Sequence, residues 1–333
     1  MSTESAAWSG AAPVPFIAAA DIGRFGYVRA AAALEDALRG GLDPAADPPR
    51  ITTRIDDEAS MLYMPSFSPR GVGVKLVTHN PRNAAAGHRL INGIYVFFDS
   101  ATLAPAALLD GTALTALRTP AVSVTAVRPA LRRFARRTNV VIFGAGPQGV
   151  GHLAALCDIA EQDRDLAAPA RVTFVTRRDR RGNLPHRADV RIEGALSGSV
   201  QATEALRAAD IVVCASDAST PLFDSSLLGE RTVTVAIGSH HPEASELDTA
   251  LCARAQVIVE DVATALRESG EVVQAARAGV LDPGDLVTIA DVVRGSADIG
   301  SRLGSGTVVF SGCGMAWQDL VVARAIVEGS RTG

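Results

Sequence analysis

One stretch of the sequence, residues 139–156, constrains the fold more than any other. It reads NVVIFGAGPQGVGHLAAL, so that an apolar run ends in a glycine-rich turn and a helical pattern follows. A strand, a tight turn and a helix start are the context in which G-x-G-x-x-G indicates dinucleotide binding. The first glycine allows the turn, the second lets the backbone approach a pyrophosphate, and the third lets the helix pack on the strand. The predicted cofactor contacts of this turn are Gly144, Gly146, Pro147, Gln148 and Gly149.

The pattern of predicted strands and helices differs between the two parts of the chain. From residue 135 onward, short apolar strands such as VVIFG, RVTFVTR and DIVVCAS alternate with helical stretches. This alternation predicts a parallel sheet covered by helices, and therefore an α/β, Rossmann-like domain over residues 135–304. Before it, RITTRI, GVGVKLVTH and GIYVFFDS have no crossover helices between them, which predicts an antiparallel or mixed sheet. We expect an α+β domain over residues 1–134, completed by the last segment, 305–333, whose helix returns to it.

Composition excludes several classes of protein. The length of 333 residues is typical of about two domains, and a hydrophobic content of 47% can fill two cores. A formal charge of −4 gives no general attraction to nucleic acid. The sequence shows no targeting signal and no apolar run that could span a bilayer, so we expect a cytoplasmic protein without a membrane partner. The four cysteines lack C-x-x-C spacing, so neither a metal site nor a disulfide is expected, and all four are interpreted as buried small apolar residues.

The second strand of the nucleotide fold carries information about the cofactor. It ends at Thr176, where NAD-binding proteins place an acidic residue on the ribose hydroxyls, and Arg177 and Arg178 follow. Guanidinium groups bind a 2′-phosphate through paired charge-assisted hydrogen bonds, whereas a carboxylate would repel it. The sequence therefore favours NADP over NAD. The alternative is a basic surface loop in which Asp179 is the displaced acidic residue.

Three basic residues of the first domain are candidates for substrate binding. Lys75 lies in the strand GVGVKLVTH, whose valines point the other way, so its ammonium is presented on one face of an apolar element. Arg118 precedes Thr119 and Pro120, which resemble a helix N-cap and first helical residue, and an arginine beside a helix N-terminus can clamp a carboxylate. Arg50, in PPRITTR, is the third candidate. For each of them a structural ion pair or a surface position is the alternative.

A resemblance adds to these observations. The order of KLVTHNPRN, then INGIYVFFDSATLAPAALLDGTALTALRTPAVSVTAV, then FGAGPQGVGHLAAL, VAIGSHHPEASELD and FSGCGMAWQD resembles the ornithine cyclodeaminase and mu-crystallin family, from about Arg50 onward. In that family a mixed sheet dimerises two subunits, each with a dinucleotide-binding domain. The resemblance implies a homodimer in which Arg50 and Arg118 hold the substrate α-carboxylate and Lys75 assists proton transfer. It also implies cofactor contacts by Thr119, Ala215, Ser216, Ser239 and the backbone of Cys313.

The departures from the family pattern concern the substrate. True ornithine cyclodeaminases resemble GGDCPGKTEL where this chain has IGSHHPEASEL, so His240 replaces the aspartate that acts on the substrate amino group. They also carry a glutamate where this chain has Leu62. Without these carboxylates the burial of a distal ammonium is unfavourable, so ornithine is expected to be a poor substrate. His240 is a candidate proton donor, or with His241 an ordinary loop residue. Asp319, near the start of the last helix, is explained as a helix cap.

The leading prediction is an NADP-dependent reductase of a small α-imino acid, with NAD as the alternative cofactor. The substrate class is a cyclic ketimine such as pyrroline-2-carboxylate or piperideine-2-carboxylate. One alternative is an ornithine cyclodeaminase-like ammonia lyase, in which tightly bound NAD is never released. The other is a non-catalytic, NADP-dependent ligand-binding protein. Retention of Arg50, Lys75 and Arg118 together argues against a pure binder, which has no need of a proton-transfer lysine.

Overall fold

The computed structural model describes residues 13–295 and 306–331, whose strands form two sheets. The first part of the chain contains β1 (Phe16–Ile17), α1 (Ala19–Phe25), α2 (Tyr27–Arg39), β2 (Ile51–Arg54), β3 (Ser60–Ser68), β4 (Gly71–His79), β5 (Ile91–Phe98), β6 (Pro105–Asp110) and α3 (Gly111–Leu131). The second part contains β7 (Thr138–Phe143), α4 (Pro147–Gln162), β8 (Pro169–Thr176), β9 (Arg191–Leu196), α5 (Val200–Arg207), β10 (Ile211–Cys214), β11 (Val233–Ala236), α6 (Thr249–Arg254), β12 (Gln256–Val259), α7 (Val262–Glu268), α8 (Gly270–Arg277), β13 (Val287–Thr288), α9 (Ile289–Arg294), β14 (Val308–Ser311) and α10 (Ala316–Arg331).

The larger sheet is parallel and has eight strands in the order β13-β12-β14-β11-β10-β7-β8-β9. Its central strands are buried on both faces, which explains their continuous apolar runs. The strand order reverses at β7, because β8 follows on one side and β10 on the other. In such folds ligands bind at the carboxyl ends of the strands beside this reversal. The Rossmann-like α/β fold that the sequence predicted is confirmed.

The smaller sheet is mixed, as predicted, with the order β1-β6-β5-β4-β3-β2. Only the β1–β6 pair is parallel among its described strands. Helices α3 and α10 contact β3, β4 and β5. Alternate residues of β4 and β5 are buried, while the residues between them are only half-buried. The sheet therefore has one face covered by helices and one face, which we call the open face, without cover from this chain in its described part.

The last segment divides between the two sheets. The prediction that residues 305–333 complete the first domain is wrong for β14, which lies between β11 and β12 in the parallel sheet. Its apolar run VVFS is entirely buried, as expected for a central parallel strand. Helix α10 packs against α2, α3 and β4 of the first part of the chain. The predicted boundary at residues 304 and 305 lies outside the described residues.

Helix α3 differs from its prediction. The sequence placed a helix start at Thr119 and Pro120, but α3 runs without interruption from Gly111 to Leu131. Its N-cap is Asp110, whose carboxylate accepts hydrogen bonds from the backbone N–H groups of the first turn. Pro120 lies inside the helix. Gly151 of α4 packs against it so closely that a Cβ on Gly151 would lie 3.0 Å from the proline ring. The predicted helix N-terminus beside Arg118 is therefore wrong.

In the described ranges, no helix has the length and the apolar character that crossing a membrane requires.

Candidate functional site

A buried cluster of charges joins the six-stranded sheet to the last helix. Lys75 Nζ donates to Asp319 Oδ2 at 2.8 Å and to Thr115 Oγ1 at 3.1 Å. Arg118 Nε donates to the other oxygen of the same carboxylate at 3.3 Å. The charged side chains of this cluster are no more than 6% exposed. Lys75 and Arg118, two of the three basic residues predicted from the sequence, therefore meet at the carboxylate of Asp319.

Strand alternation aims Lys75 at this cluster. The lysine lies on the covered face of β4, opposite Tyr95 of β5 in the register. Gly73 lies on the same face, and any Cβ there would overlap the Tyr95 hydroxyl. Val72 and Val74 are half-buried on the open face, as the period of two predicted.

Asp319 is the residue whose role the sequence missed. It was interpreted as a helix cap, but it is the fourth residue of α10, it is fully buried, and its carboxylate binds Lys75 and Arg118. The cap interpretation is wrong, because Asp319 lies inside the helix and its carboxylate accepts from the side chains of Lys75 and Arg118. The available signal was the apolar character of the residues three and four positions away, which puts Asp319 on the buried side of the helix. Those residues are Met315, Ala316, Val322 and Ala323.

The proton affinity of Lys75 is set by this environment. Burial, together with the positive charges of Arg118 and Arg50, lowers the pKa of Lys75 to about 8 against the opposing effect of Asp319. An ammonium with a pKa near 8 is protonated at neutral pH and can still release its proton. This is the property required of a general acid.

Arg50 approaches the cluster from the other side of Gly314. Its guanidinium donates to the carbonyl oxygens of Cys313 at 2.8 Å and Gly314 at 3.2 Å. Gly314 has a φ of +76°, and a Cβ on it would lie 3.0 Å from Arg118. Arg50 and Arg118 therefore flank the same turn. The structure brings together all three predicted basic residues.

A second carboxylate that sequence reasoning missed holds this turn. Glu260, which follows β12 and is 3% exposed, accepts hydrogen bonds from the backbone N–H of Cys313 at 2.8 Å and from that of Gly314. Gln318 donates to Glu260 and accepts from Arg118 Nη1 at 2.6 Å. Arg118 is thus oriented by Asp319 and Gln318 together. The signal was the position of Glu260 at the carboxyl end of an apolar strand.

The glycine-rich turn has the predicted geometry. Gly144 has a φ of +97°, and a Cβ on it would overlap the carbonyl oxygen of Ala215. Likewise, a Cβ on Gly149 would overlap the carbonyl oxygen of Gly144, so the helix packs directly on the turn. A Cβ on Gly146 would meet nothing within 4 Å, and Pro147 then begins the 16-residue helix α4. Open space before a helix N-terminus fits a pyrophosphate.

Two further loops adjoin this turn. Ser216, after β10, donates its backbone N–H and its hydroxyl to Glu246 Oε1 at 2.8 and 2.6 Å. Gly238, after β11, donates to the other oxygen at 2.7 Å. Burial raises the pKa of Glu246 to about 7. Ser239 is buried and accepts from Gly270 N–H at 3.2 Å, which ties its loop to α8. A buried glutamate therefore joins the loops in which Ala215, Ser216 and Ser239 were predicted to contact the cofactor.

Helices α3 and α4 are linked beneath the predicted cofactor site. Gln148 donates to the backbone carbonyl of Thr115 at 3.4 Å. His152 Nδ1 lies 2.8 Å from the carbonyl oxygen of Gln148, and its Nε2 lies 3.0 Å from Ser123 Oγ, which donates to the carbonyl oxygen of Thr119. Burial lowers the pKa of His152 to about 4, so its imidazole is neutral. Thr119 and Gln148 thus lie where the substrate and cofactor residues adjoin.

The arginines after β8 lie on the surface. Arg177 pairs with Asp217 at 2.9 Å, with both side chains about four-fifths exposed (80% and 82%). Thr176 Oγ1 donates to the backbone carbonyl of Arg178 at 2.7 Å, which shapes the loop after the strand. Both arginines are exposed at the carboxyl edge of the parallel sheet. The NADP preference stays a prediction.

His240 and Cys313 have contrasting environments. Desolvation by the surrounding loops and the nearby Arg50 lower the pKa of His240, although its side chain is exposed, and its Nδ1 lies 3.3 Å from the carbonyl oxygen of Gly238. A proton-transfer role for His240 stays a prediction. All four cysteines are buried, as predicted. Burial raises the pKa of the Cys313 thiol well above its usual range, which disfavours a nucleophilic role. Among the described residues, no three His, Cys, Asp or Glu side chains are arranged to hold a metal ion.

The chain is similar in sequence and in fold to known proteins. A family model described as ornithine cyclodeaminase/mu-crystallin family matches residues 21–333. A Delta(1)-pyrroline-2-carboxylate reductase of Bacillus cereus is 30% identical over 278 residues, which are 82% of each chain. The structure of Thermococcus litoralis Delta(1)-pyrroline-2-carboxylate reductase in complex with NADH and L-proline is similar in fold, with a TM-score of 0.79, 21% identity and coverage of 96% of this chain and 98% of that chain. An archaeal alanine dehydrogenase dimer with bound NAD has a TM-score of 0.76 and 23% identity, with 96% of each chain covered.

Proposed function

The chain belongs to the ornithine cyclodeaminase/mu-crystallin family, and from this membership we propose that it is an NAD(P)H-dependent reductase of a small α-imino acid. The proposed substrate is a cyclic ketimine such as pyrroline-2-carboxylate or piperideine-2-carboxylate. The observation that carries the proposal is the meeting of Lys75 and Arg118 at Asp319, with Arg50 across Gly314. The activity named for the 30% identical relative supports the same class of substrate.

Each basic residue has a role in this proposal. The planar guanidinium groups of Arg50 and Arg118 bind the substrate α-carboxylate. Lys75 donates its proton to the imine nitrogen and takes it back in the reverse direction. Bound NAD(P)H supplies the hydride that reduces the imine carbon. The carboxylate of Asp319 keeps Lys75 charged and oriented while the surrounding burial keeps its pKa near 8.

The test of the activity is a screen with purified protein. Cyclic imino acids are mixed with NADPH or NADH, and we expect loss of reduced-cofactor absorbance in proportion to the imine consumed. An ammonia lyase would convert an amino acid without net loss of cofactor, and a binding protein would convert nothing. Turnover of ornithine to ammonia with a constant cofactor spectrum would contradict the reductase proposal.

The cofactor preference is a separate prediction. We expect NADPH to bind more tightly than NADH, because Arg177 and Arg178 lie exposed at the end of β8. Replacing both with alanine should weaken NADPH binding by about 1 to 3 kcal/mol per lost charged hydrogen bond and leave NADH nearly unchanged. Titration of cofactor fluorescence measures both affinities, with Arg277→Ala as a control on a surface helix. Equal losses for the two cofactors, or a wild-type preference for NADH, would contradict the prediction.

The pKa of Lys75 predicts a pH dependence. Imine reduction needs the protonated lysine, so kcat/KM should be level below pH 8 and fall as the pH rises through about 8. Amino-acid oxidation needs the neutral amine, so its rate should rise through the same range. Initial rates in both directions measure this, with the cofactor saturating. A reduction rate that stays constant across this range would remove Lys75 as the donor.

We also propose a homodimer formed through the open face of the six-stranded sheet. That face carries half-buried valines of β4, and at its edge Phe67 and Ile51 are 63% and 58% exposed. Exposed apolar side chains grouped on one face of a sheet are often covered by a partner. We expect sedimentation at micromolar concentration to give the mass of two chains and Val74→Lys to give the mass of one. A wild-type monomer would contradict the homodimer proposal.

The cytoplasmic location stays a prediction.

A further inference from the structure

Glu268 places a carboxylate of the chain itself on Arg50. Its Oε2 lies 2.7 Å from the Arg50 guanidinium, and the two side chains are only 13% and 16% exposed. Glu268 is the last residue of α7, where the helix dipole disfavours a negative charge. Its position is therefore not explained by helix stability. The ion pair with Arg50 explains it.

We propose that Glu268 competes with the substrate carboxylate for Arg50 and thereby sets the affinity and the charge selectivity of the site. This inference depends on the proposed function, in which Arg50 binds the α-carboxylate. Arg50 donates to the carbonyl oxygens of Cys313 and Gly314 through Nη2, the same nitrogen that faces Glu268, so three acceptors already surround this end of the guanidinium. Two carboxylates beside one guanidinium repel each other, so the ion pair with Glu268 weakens the binding of a second carboxylate to Arg50.

Arg267 gives Glu268 a second partner. Arg267 Nη2 lies 2.7 Å from Oε1 of Glu268, the oxygen that does not face Arg50, and the Arg267 side chain is half exposed. Glu268 can therefore leave Arg50 and keep a compensating charge. A buried carboxylate without such a partner would be costly to displace. Arg50, Arg267 and Glu268 line one cavity together with the apolar Met64 and Met315.

The same residue imposes a charge preference. After the exchange, Glu268 stays beside the cavity as a largely buried negative charge. The charge of Glu268 also acts on His240. The pKa of His240 is lowered overall, by desolvation and by Arg50, and Glu268 opposes this shift. A substrate with one carboxylate and an uncharged ring avoids this charge. A substrate with a second carboxylate meets like-charge repulsion.

The experiment compares Glu268→Gln with Arg267→Gln. The probe is pyrrole-2-carboxylate, a planar ring acid without a reducible imine, titrated calorimetrically into the protein saturated with oxidised cofactor. Glu268→Gln should bind it about fivefold more tightly, the scale of a partly exposed ion pair. Arg267→Gln should bind it more weakly, because Glu268 then keeps Arg50 as its only partner among the contacts described. Arg277→Gln, on an exposed ion pair of α8, is the control and should change nothing.

Kinetics distinguish competition from a structural role. Glu268→Gln should lower KM for pyrroline-2-carboxylate with kcat little changed, and should raise the relative kcat/KM for a dicarboxylic amino acid over proline in the oxidative direction. Unchanged or weaker probe binding in Glu268→Gln, with Arg50→Lys still weakening it, would overturn the competition and leave the proposed function intact. An Arg50→Lys variant with wild-type probe binding would overturn both. If Glu268→Gln does not fold, the Arg267→Gln variant, at an exposed residue, tests the competition instead. Binding of pyrrole-2-carboxylate to Arg267→Gln with wild-type affinity would overturn the competition.

Discussion

Replacing Lys75 with methionine is expected to reduce turnover of the imine substrate by about 100-fold or more, the usual scale for the loss of a general acid. Methionine retains an unbranched apolar stem of similar reach but has no proton to give. The lysine ammonium is buried and bound to Asp319 at 2.8 Å, so it is shielded from bulk solvent. Steady-state rates with a confirmed imine and saturating cofactor measure the loss.

A second variant separates charge from proton transfer. Lys75→Arg keeps a positive charge for Asp319, but a guanidinium does not deprotonate near neutral pH. We expect it to fold at a cost of about 1 to 3 kcal/mol for the larger side chain in this closely packed site, and to lose most of the activity. Near wild-type turnover in Lys75→Met would make the lysine structural and would move the proton-transfer role to His240.

Replacing Asp319 with asparagine is expected to destabilise the protein by about 3 to 5 kcal/mol, the cost of leaving buried charges without their partner. The carboxylate is fully buried and is the shared partner of Lys75 and Arg118. Without it the pKa of Lys75 should fall further, because Asp319 is the group that raises it. The variant should therefore also lose imine reduction at neutral pH. Denaturant unfolding at neutral pH measures the stability.

The matched control is Asp217→Asn, the same substitution in an ion pair that is exposed on both sides. We expect its unfolding midpoint to match that of the wild type, since exposed ion pairs contribute little. A wild-type midpoint for Asp319→Asn would show that the cluster does not depend on its carboxylate, and the roles of Lys75 and Arg118 would have to be reconsidered.

Local patterns in the sequence determined much of this protein. Strand alternation fixed the side of β4 on which Lys75 lies, because the period of two is a property of one strand. The glycine spacing fixed the turn at Gly144, because a positive φ and close packing at Gly149 are local requirements. The alternation of strands and helices predicted the parallel sheet. The candidate basic residues and the cofactor turn could all be proposed from such patterns.

The tertiary structure alone decided what these residues meet. Lys75 and Asp319 are 244 residues apart, and no spacing rule relates two elements at that separation. The sequence therefore assigned Asp319 to a helix cap and gave no role to Glu260 or Glu268. It also placed β14 with the wrong sheet, because a buried apolar strand fits either sheet equally well until its hydrogen-bonding neighbours are known. Periodicity specifies which face of an element is buried, whereas packing of distant elements specifies which charges share that burial.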